Sequence, residues 1–231
     1  MKKKIIYSLI LLFIILVWIA YLFYLRNAKI LHIPLEWNVE LFLFTWWKTS
    51  YKVLKENNCT TVVNGSYFWY DENRNFIPAW IWYENWEKLY SRDNHPFDPN
   101  LTNIITFYPE KASFNFLFDK WLENSEWSWI SFNAGPRLLQ KNQINKNLWK
   151  DISHRKYNVP RTIISKKSDK YYINIFKKWI SLENSAEYLK EKWFSDAINL
   201  DWWPSTSISS KKLYIKNLKE NKKLPIFFCI H

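Results

Sequence analysis

Glycine is almost missing from this sequence, which contains 2 glycines and 16 tryptophans among 231 residues. A chain of this length ordinarily has about 16 glycines. Tight turns and helix C-termini need residues that tolerate a positive φ, and tryptophan is among the poorest there because its Cβ and indole clash with the backbone. Two hypotheses explain the composition. Either the protein is a tryptophan-rich carbohydrate binder with stacking platforms, or the opal codon, translated here as Trp, encodes Gly in the source organism.

Cysteine is scarce as well. Cys59 and Cys229 are the only two, and they are far apart and form no CxxC pair, so a zinc or redox motif has no support. They could form one disulfide, but two unconnected thiols are the prediction. No cluster of His, Asp or Glu has metal-ligand spacing, and His95 and His154 lie outside the motifs described below. The sequence therefore predicts neither a metal nor another cofactor.

The charge balance is strongly positive, with a formal net charge of +12 at pH 7. This charge indicates attraction to anionic surfaces or polymers, or else a lysine-rich bias of the genome. No stripe of Lys and Arg alternates with stacking aromatic residues, so we expect no nucleic-acid partner. Hydrophobic residues make up 48% and charged residues 23%, which excludes a disordered chain.

The N-terminus has the pattern of a membrane anchor. Three lysines at positions 2–4 precede a run from Ile5 to Leu25 that has no charged residue. At about 1.5 Å per residue, a helix over this run is long enough to cross a hydrocarbon core of about 30 Å. The lysines are expected to stay cytoplasmic, which makes the rest of the chain the extracytoplasmic part of a single-pass protein of the cell membrane. Because no A-x-A site follows, we predict a retained anchor, residues 1–27, rather than a cleaved signal peptide.

The sequence pattern of residues 28–231 predicts one domain of the α+β class, with a mixed, mostly antiparallel sheet and a few helices. The predicted transmembrane helix precedes this domain. Many short strands occur with few helices and without regular βαβ order. The clearest helix has its N-cap at Ser181 and runs to Lys192. Trp193 follows at the position where glycine is usual, and Trp86 follows an asparagine where Asn-Gly would be the strongest hairpin signal. These contexts favour recoding of Trp as Gly.

Five segments carry a recognisable pattern. They are VNGSYFW at residues 63–69, PAWIWYENWE at 78–87, FNAGPRLL at 132–139, PRT at 160–162 and AINLDWWPST at 197–206. In order and spacing they resemble the motifs of the phosphodiester glycosidase family. The last segment resembles the N-L-D-G-G-G-S-T signature of that family if Trp202 and Trp203 are glycine. Four Trp positions within the segments coincide with glycines of the family, whereas Ser66, Ala134 and Pro204 depart from its pattern.

The resemblance implies hydrolysis of a sugar-1-phosphodiester bond, as in the enzyme that removes N-acetylglucosamine from the lysosomal mannose 6-phosphate marker. Bacterial relatives are associated with exopolysaccharide or cell-envelope metabolism. The implied function is therefore an extracytoplasmic hydrolase whose partner is a sugar-phosphodiester or anionic glycan. The three departures motivate an alternative, in which a membrane-tethered glycan-binding module keeps the fold and has lost turnover.

Arg161 and Asp201 are the predicted catalytic residues. A guanidinium suits the phosphate because it forms bidentate hydrogen bonds, although a strand-end salt bridge would explain Arg161 as well. Asp201 suits a general base, a nucleophile or an oxocarbenium stabiliser, with a turn-capping aspartate as the alternative. The predicted substrate-binding residues are Asn64, Gly65, Gly135, Asn199, Trp202, Trp203, Ser205 and Thr206.

Four of these substrate-binding assignments follow from the chemistry of the residue. Trp202 and Trp203, read as glycine, would let backbone amides approach a phosphate. Asn64 and Ser205 could bind phosphate or sugar hydroxyls, and they could equally stabilise their own turns.

Overall fold

The computed structural model describes most of the chain. The described residues are 7, 10–20, 30–35, 39–65, 67–70, 76–78, 82–84, 87–90, 103–108, 113–118, 130–146, 148, 158–202, 205–212, 218–219 and 221–231. This part of the protein is mostly antiparallel β-sheet with three helices. The helices are α1 at residues 10–20, α2 at Ser50–Glu56 and α3 at Leu182–Glu191.

The described strands form three sheets and one separate hairpin. In chain order the strands are β1 Ile30–Leu35, β2 Val39–Thr49, β3 Thr61–Asn64, β4 Phe68–Tyr70, β5 Phe76–Pro78, β6 Trp82–Glu84, β7 Glu87–Tyr90, β8 Asn103–Tyr108, β9 Ser113–Phe118, β10 Ile130–Ala134, β11 Arg137–Gln140, β12 Gln143–Ile144, β13 Val159–Lys167, β14 Lys170–Ile180, β15 Asp196–Trp202, β16 Ile208–Ser210 and β17 Lys223–Ile230.

The three sheets differ in the number and order of their strands. The large sheet has the order β1-β14-β13-β15-β11-β12, the outer sheet β7-β6-β10-β8-β9 and the small sheet β16-β3-β17-β2, while β4 pairs with β5. All pairings between the described strands are antiparallel, which corrects the predicted mixed sheet for this part of the chain. The predicted Asn-Trp turn at 85–86 lies outside the described residues, between β6 and β7.

The main core lies between the large sheet and the other two sheets. Ile198 of β15 and Phe228 of β17 both belong to it, whereas their neighbours face the other way, Ala197 towards α3 and Phe227 towards α2. This alternation follows from the two-residue period of a strand. The layers are therefore α3, large sheet, small sheet and α2. Burial of each large apolar side chain in this core contributes about 1.5–3 kcal/mol to the free energy of unfolding.

Helix α3 begins and ends as its sequence predicts. The side chain of Ser181 accepts a hydrogen bond from the backbone N–H of Asn184 over 3.0 Å, which satisfies one of the unpaired N–H groups of the first turn. The predicted N-cap is confirmed. One face of the helix packs on the large sheet through the buried residues Leu182, Ser185, Ala186 and Leu189.

Trp193 closes α3 in a left-handed backbone conformation, with a φ of 64°. Its N–H donates to the carbonyl of Lys190 over 2.9 Å, and the N–H of Phe194 donates to the carbonyl of Leu189 over 3.0 Å. These two bonds form a Schellman motif, in which glycine is the usual residue at the position of Trp193. The residue is 74% exposed, so its indole contributes little to the core.

The two cysteines form a disulfide, so the prediction of two unconnected thiols is wrong. Strands β3 and β17 are neighbours in the small sheet, with Cys229 opposite Val62. Cys59 just precedes β3, and the two Cα atoms lie 5.5 Å apart, a distance that a disulfide can bridge. Both cysteines are fully buried in the cluster between α2 and the small sheet.

The predicted N-terminal transmembrane helix is contradicted. Among the described residues, no helix is both long and apolar enough to cross a membrane. This finding also contradicts the predicted localisation as a single-pass protein of the cell membrane. The predicted contact with a membrane through residues 5–25 stays a prediction.

Candidate functional site

The predicted site residues come together where the large sheet meets the small sheet. Asn64 is the last residue of β3, Arg161 lies in β13 and Asp201 lies in β15. A backbone hydrogen bond joins the two sheets here, from the N–H of Asp201 to the carbonyl of Gly65 over 3.3 Å. The site is therefore assembled from segments that are distant in the sequence.

The Asn64 side chain ties these segments to one another. Its Oδ1 accepts hydrogen bonds from the Thr162 hydroxyl over 2.6 Å and from the backbone N–H of Ser207 over 3.1 Å. Its Nδ2 donates to the carbonyls of Gly65 and Asp201, each over 3.4 Å. A carboxamide has two acceptor and two donor positions, so all four positions of this amide are used within the protein. The bonds fix the amide orientation of a residue that is only 1% exposed.

Gly65 allows β3 to continue close to β17. Its N–H donates to the carbonyl of Ile226 over 2.8 Å. A Cβ at this position would lie 2.3 Å from Cγ2 of Ile226 and 3.3 Å from its carbonyl carbon, which is too close for an unstrained contact. The absence of a side chain at Gly65 thus lets the backbone pack tightly next to Asp201.

Arg161 and Asp201 lie at almost paired positions of neighbouring strands. Arg161 is opposite Trp202, and Ile163 is opposite Asn199, so two steps along β13 correspond to three along β15. The additional residue is the mark of a β-bulge, which changes the direction of side chains and often occurs next to active sites. Asp201, which directly precedes Trp202, lies in this irregular stretch and is 8% exposed.

The Arg161 side chain is the largest among the fully buried ones of the described residues. Its Nε donates a hydrogen bond to the carbonyl of Ile180 in β14 over 3.0 Å. A guanidinium stays protonated at any ordinary pH, and a buried charge is costly unless other groups compensate it. The buried charge of Arg161 therefore affects the stability of the large sheet, and it would attract an anion that enters the site.

A second hydrogen-bond network surrounds Asn199 and Gly135. The Tyr67 hydroxyl donates to the carbonyl of Gly135 over 2.7 Å and accepts a hydrogen bond from Nδ2 of Asn199 over 2.7 Å. The same Nδ2 also faces the carbonyls of Leu200 at 2.5 Å and Gly135 at 3.4 Å. A backbone bond from the segment between β10 and β11 completes the network, because the N–H of Gly135 donates to the carbonyl of Asn199 in β15 over 3.0 Å.

The remaining predicted binding residues lie at the end of β15 and in the segment between β15 and β16. Ser205 and Thr206 are buried, and the Thr206 hydroxyl donates to the carbonyl of Pro160, the residue before Arg161, over 3.0 Å. Of Trp202 only the backbone is described, and Trp203 lies outside the described residues. Phosphate binding by the amides of these two residues stays a prediction.

Three residues of the networks were not among the predicted site residues. Tyr67, Thr162 and Ser207 lie within or directly beside the recognised segments, and only this proximity could have indicated them. Their hydrogen-bond partners are 68, 98 and 143 residues away in the sequence. A pattern of neighbouring residues carries no information about contacts over such separations.

One group of side chains in the described part of the chain could place three ligand atoms around a metal ion. Glu40, Cys229 and His231 have such atoms within 4.8 Å of one another. The sulfur of Cys229 is in the disulfide and therefore is not a thiolate, which is the form that binds metals. Glu40 and His231 alone provide two of the four ligands that a structural zinc site uses.

Comparison with known proteins shows similarity in fold rather than in sequence. No protein-family model matches the chain, and no curated protein matches it. The catalytic domain of zebrafish N-acetylglucosamine-1-phosphodiester alpha-N-acetylglucosaminidase is similar with a TM-score of 0.61 at 14% identity, over 84% of this chain and 73% of that one.

Two further solved structures are similar over a comparable part of the chain. A hypothetical protein from Synechocystis has a TM-score of 0.49 at 9% identity, over 89% of this chain and 57% of that one. A protein described as exported, from Burkholderia pseudomallei, has a TM-score of 0.49 at 9% identity, over 83% of this chain and 70% of that one.

The likeness to the zebrafish domain shows a distant relationship of fold. The chain has an architecture similar to that of a phosphodiester glycosidase catalytic domain. At an identity of 14%, this likeness does not show that the two proteins share an activity or a substrate. It also does not bear on the recoding of Trp as Gly or on a relationship to bacterial exopolysaccharide proteins.

Proposed function

We propose that residues 28–231 form a hydrolase domain that cleaves a sugar-1-phosphodiester bond in a cell-envelope or exopolysaccharide substrate. The observation that carries this proposal is the placement of Arg161 opposite Trp202, beside Asp201, at the junction of the two sheets. This placement puts a permanent cation and a carboxylate on adjacent strands. The similarity in fold to a phosphodiester glycosidase domain supports the same reading.

The two charged residues have complementary roles in the proposed reaction. The substrate carries one negative charge on its phosphodiester group, and the terminal nitrogens of Arg161 are the donors that we propose for its oxygens. Asp201 acts at the anomeric carbon as a base, a nucleophile or a stabiliser of the oxocarbenium-like transition state. Because both residues are at least nine-tenths buried, a substrate bound between them would lie in a medium where charge interactions are strong.

A glycan-binding module of the same fold is the second candidate. It is favoured by the Asn64 amide, whose four hydrogen-bonding positions are all used by the protein, and by the complete burial of Arg161. In such a module these residues would hold the sheets together, and a bound glycan would not be cleaved.

Incubation of the full-length protein with a panel of sugar-1-phosphodiesters tests both proposals. Release of the free sugar, measured by chromatography, supports the hydrolase. Binding of the same compounds in calorimetry, without release of sugar, supports the module. If the protein neither binds these compounds nor releases sugar from them, both proposals are refuted.

We also propose that Trp193, Trp202 and Trp203 stand where the source organism inserts glycine. The left-handed φ and the 74% exposure of Trp193 support this proposal, because both are expected for a residue that was glycine. Mass spectrometry of peptides from the native protein distinguishes the two residues at each position. Tryptophan at position 193 in the native protein would refute recoding there.

A further inference from the structure

Two buried asparagines of the site differ in how completely their amides are used. All four hydrogen-bonding positions of Asn64 have partners in the protein. Those of Asn199 do not, because its Oδ1 is buried and accepts no hydrogen bond from the described residues. A buried carbonyl oxygen without a donor is unfavourable and indicates that a donor from outside the protein completes the site.

The direction in which the Asn199 amide points is determined by its neighbours. Its nitrogen faces the carbonyl oxygens of Leu200 and Gly135 at 2.5 and 3.4 Å. If the amide were turned over, Oδ1 would face these two oxygens without a hydrogen atom between them. The nitrogen must therefore lie on this side, and the oxygen is the group left available.

Tyr67 fixes this arrangement from a third side. Its hydroxyl hydrogen is donated to the carbonyl of Gly135, so its oxygen accepts from Nδ2 of Asn199, both over 2.7 Å. Tyr67 is 8% exposed and Asn199 is fully buried, which protects these bonds from competition with solvent. Tyr67 thus holds an amide whose remaining function is to accept a hydrogen bond.

We propose that Oδ1 of Asn199 accepts a hydrogen bond from a hydroxyl or N–H group of the substrate sugar, and that Tyr67 is the positioning residue for this contact. The inference rests on the proposed function. Asn199 precedes Asp201 by two residues in β15, which corresponds to about 7 Å along a strand. This separation is similar to the width of a hexose ring, so Asp201 can act at the anomeric carbon while Asn199 binds a group on another ring carbon.

The test compares substrates that differ by one donor group. The methyl phosphodiester of N-acetylglucosamine 1-phosphate is compared with a set of analogues that each lack one hydroxyl or the acetamido N–H. For the full-length protein we expect kcat/KM to be at least about tenfold lower for one analogue than for the parent compound. The missing donor group of that analogue leaves Oδ1 of Asn199 unpaired. If all analogues react like the parent compound, an enclosed water satisfies Oδ1 and the inference is wrong.

Two variants and one matched control assign the effect to Asn199. Asn199→Leu removes the acceptor, and Tyr67→Phe removes only the hydroxyl that positions it. In both variants we expect the ratio of kcat/KM between the parent compound and the sensitive analogue to fall towards one. Thr162→Val is the control, because it removes a hydroxyl that bonds the other amide, that of Asn64, and should leave this ratio unchanged.

The outcomes separate the inference from the proposed function. If the ratio stays the same in Tyr67→Phe and Asn199→Leu, the inference is refuted while the hydrolase stands. Should Asn199→Leu not fold, Tyr67→Phe decides alone. If the compounds bind without being cleaved, the same comparison is made on Kd. A protein that neither binds nor cleaves them refutes the proposed function and the inference together.

Discussion

The hydroxyl of Thr162 donates a hydrogen bond to Oδ1 of Asn64 over 2.6 Å, and this bond joins a central strand of the large sheet to the end of a strand in the small sheet. Both residues are buried, so the bond is protected from solvent. Since the same amide donates to the carbonyl of Asp201, the position of the proposed catalytic aspartate depends on the packing of both sheets.

Asp201→Asn should reduce kcat by at least about 100-fold while leaving the domain folded, because the substitution removes the charge and keeps the shape. Sugar release and thermal unfolding measure the two effects. Asp196→Asn is the matched control, since Asp196 lies at the other end of β15 and has no proposed role in the reaction. Near-normal turnover in Asp201→Asn would mean that this carboxylate is only a structural group.

Arg161→Lys should raise KM by about tenfold or more, because a single ammonium cannot reproduce the planar donors of a guanidinium. The variant also loses the geometry of the bond to Ile180, so we expect a lower melting temperature. Arg137→Lys, in the neighbouring strand β11, controls for the general effect of replacing an arginine. An unchanged KM in Arg161→Lys would exclude this residue from the phosphate site.

Trp193→Gly should stabilise the protein by about 1 kcal/mol or more, since a bulky residue with a φ of 64° is strained and glycine is not. For a chain of this size the melting temperature would rise by about 2–4 °C. Trp179→Gly is the matched control. Trp179 is 72% exposed and lies in β14 without a positive φ, so glycine there should lower the melting temperature. If both variants are destabilised, Trp193 is not strained.

Replacement of both cysteines, Cys59→Ser with Cys229→Ser, should lower the free energy of unfolding by about 2–5 kcal/mol. The disulfide closes a large loop, with a sequence separation of 170, and urea unfolding measures its effect. Addition of a reductant should shift the wild-type transition and leave that of the variant in place. Identical transitions of oxidised wild type and variant would contradict the prediction.

His32 should make the protein less stable under mildly acidic conditions. Its ring lies beside the rings of Tyr188 and Phe194, with centroid distances of 5.8 and 5.7 Å. Although part of the residue faces solvent, desolvation lowers the pKa of His32 from 6.5, Lys167 and Lys192 lower it further, and the hydrogen bond to Asn174 acts in the opposite direction.

The sign of the pH effect follows from this lowered pKa. Below about pH 6.5 the unfolded state binds a proton on His32 that the folded state binds only at lower pH, so stability decreases as the pH falls through this range. Melting temperatures measured from about pH 7.5 to about pH 5 should fall more steeply for the wild type than for His32→Phe. Parallel curves for the two proteins would show that His32 does not contribute.

The elements that the sequence predicts well are those with local signals. Helix α3 has a capping serine, an apolar face and a terminating position, all within fourteen consecutive residues from 181 to 194. Strand β17 was not predicted, although it lies between β2 and β3 and completes the small sheet. A short apolar run such as residues 224–230 does not differ in periodicity from part of a buried helix, and only distant strands select its structure.

In the candidate site as well, local sequence signals predict the residues themselves but not their partners from distant segments. The recognised segments predicted that Asn64, Arg161 and Asp201 belong to one site, and the structure brings their strands together. The partners that orient these residues, such as Tyr67 and Thr162, could not be predicted, because hydrogen bonds between distant segments leave no spacing in the sequence. The prediction of two unconnected thiols was wrong for the same reason, because Cys59 and Cys229 meet only through strand pairing between distant segments.

The central position of β17 in the small sheet determines when this part of the protein can fold during synthesis. Strands β2 and β3 emerge early from the ribosome, and both pair with residues 223–230. Until these residues have been translated, the two strands lack their common neighbour, and Cys59 lacks its partner. Contacts over such separations form slowly, and unpaired strand edges promote aggregation. A nascent chain that stalls before residue 223 would therefore expose β2 and the edge of β3 that faces β17, although β3 can already pair with β16 on its other edge.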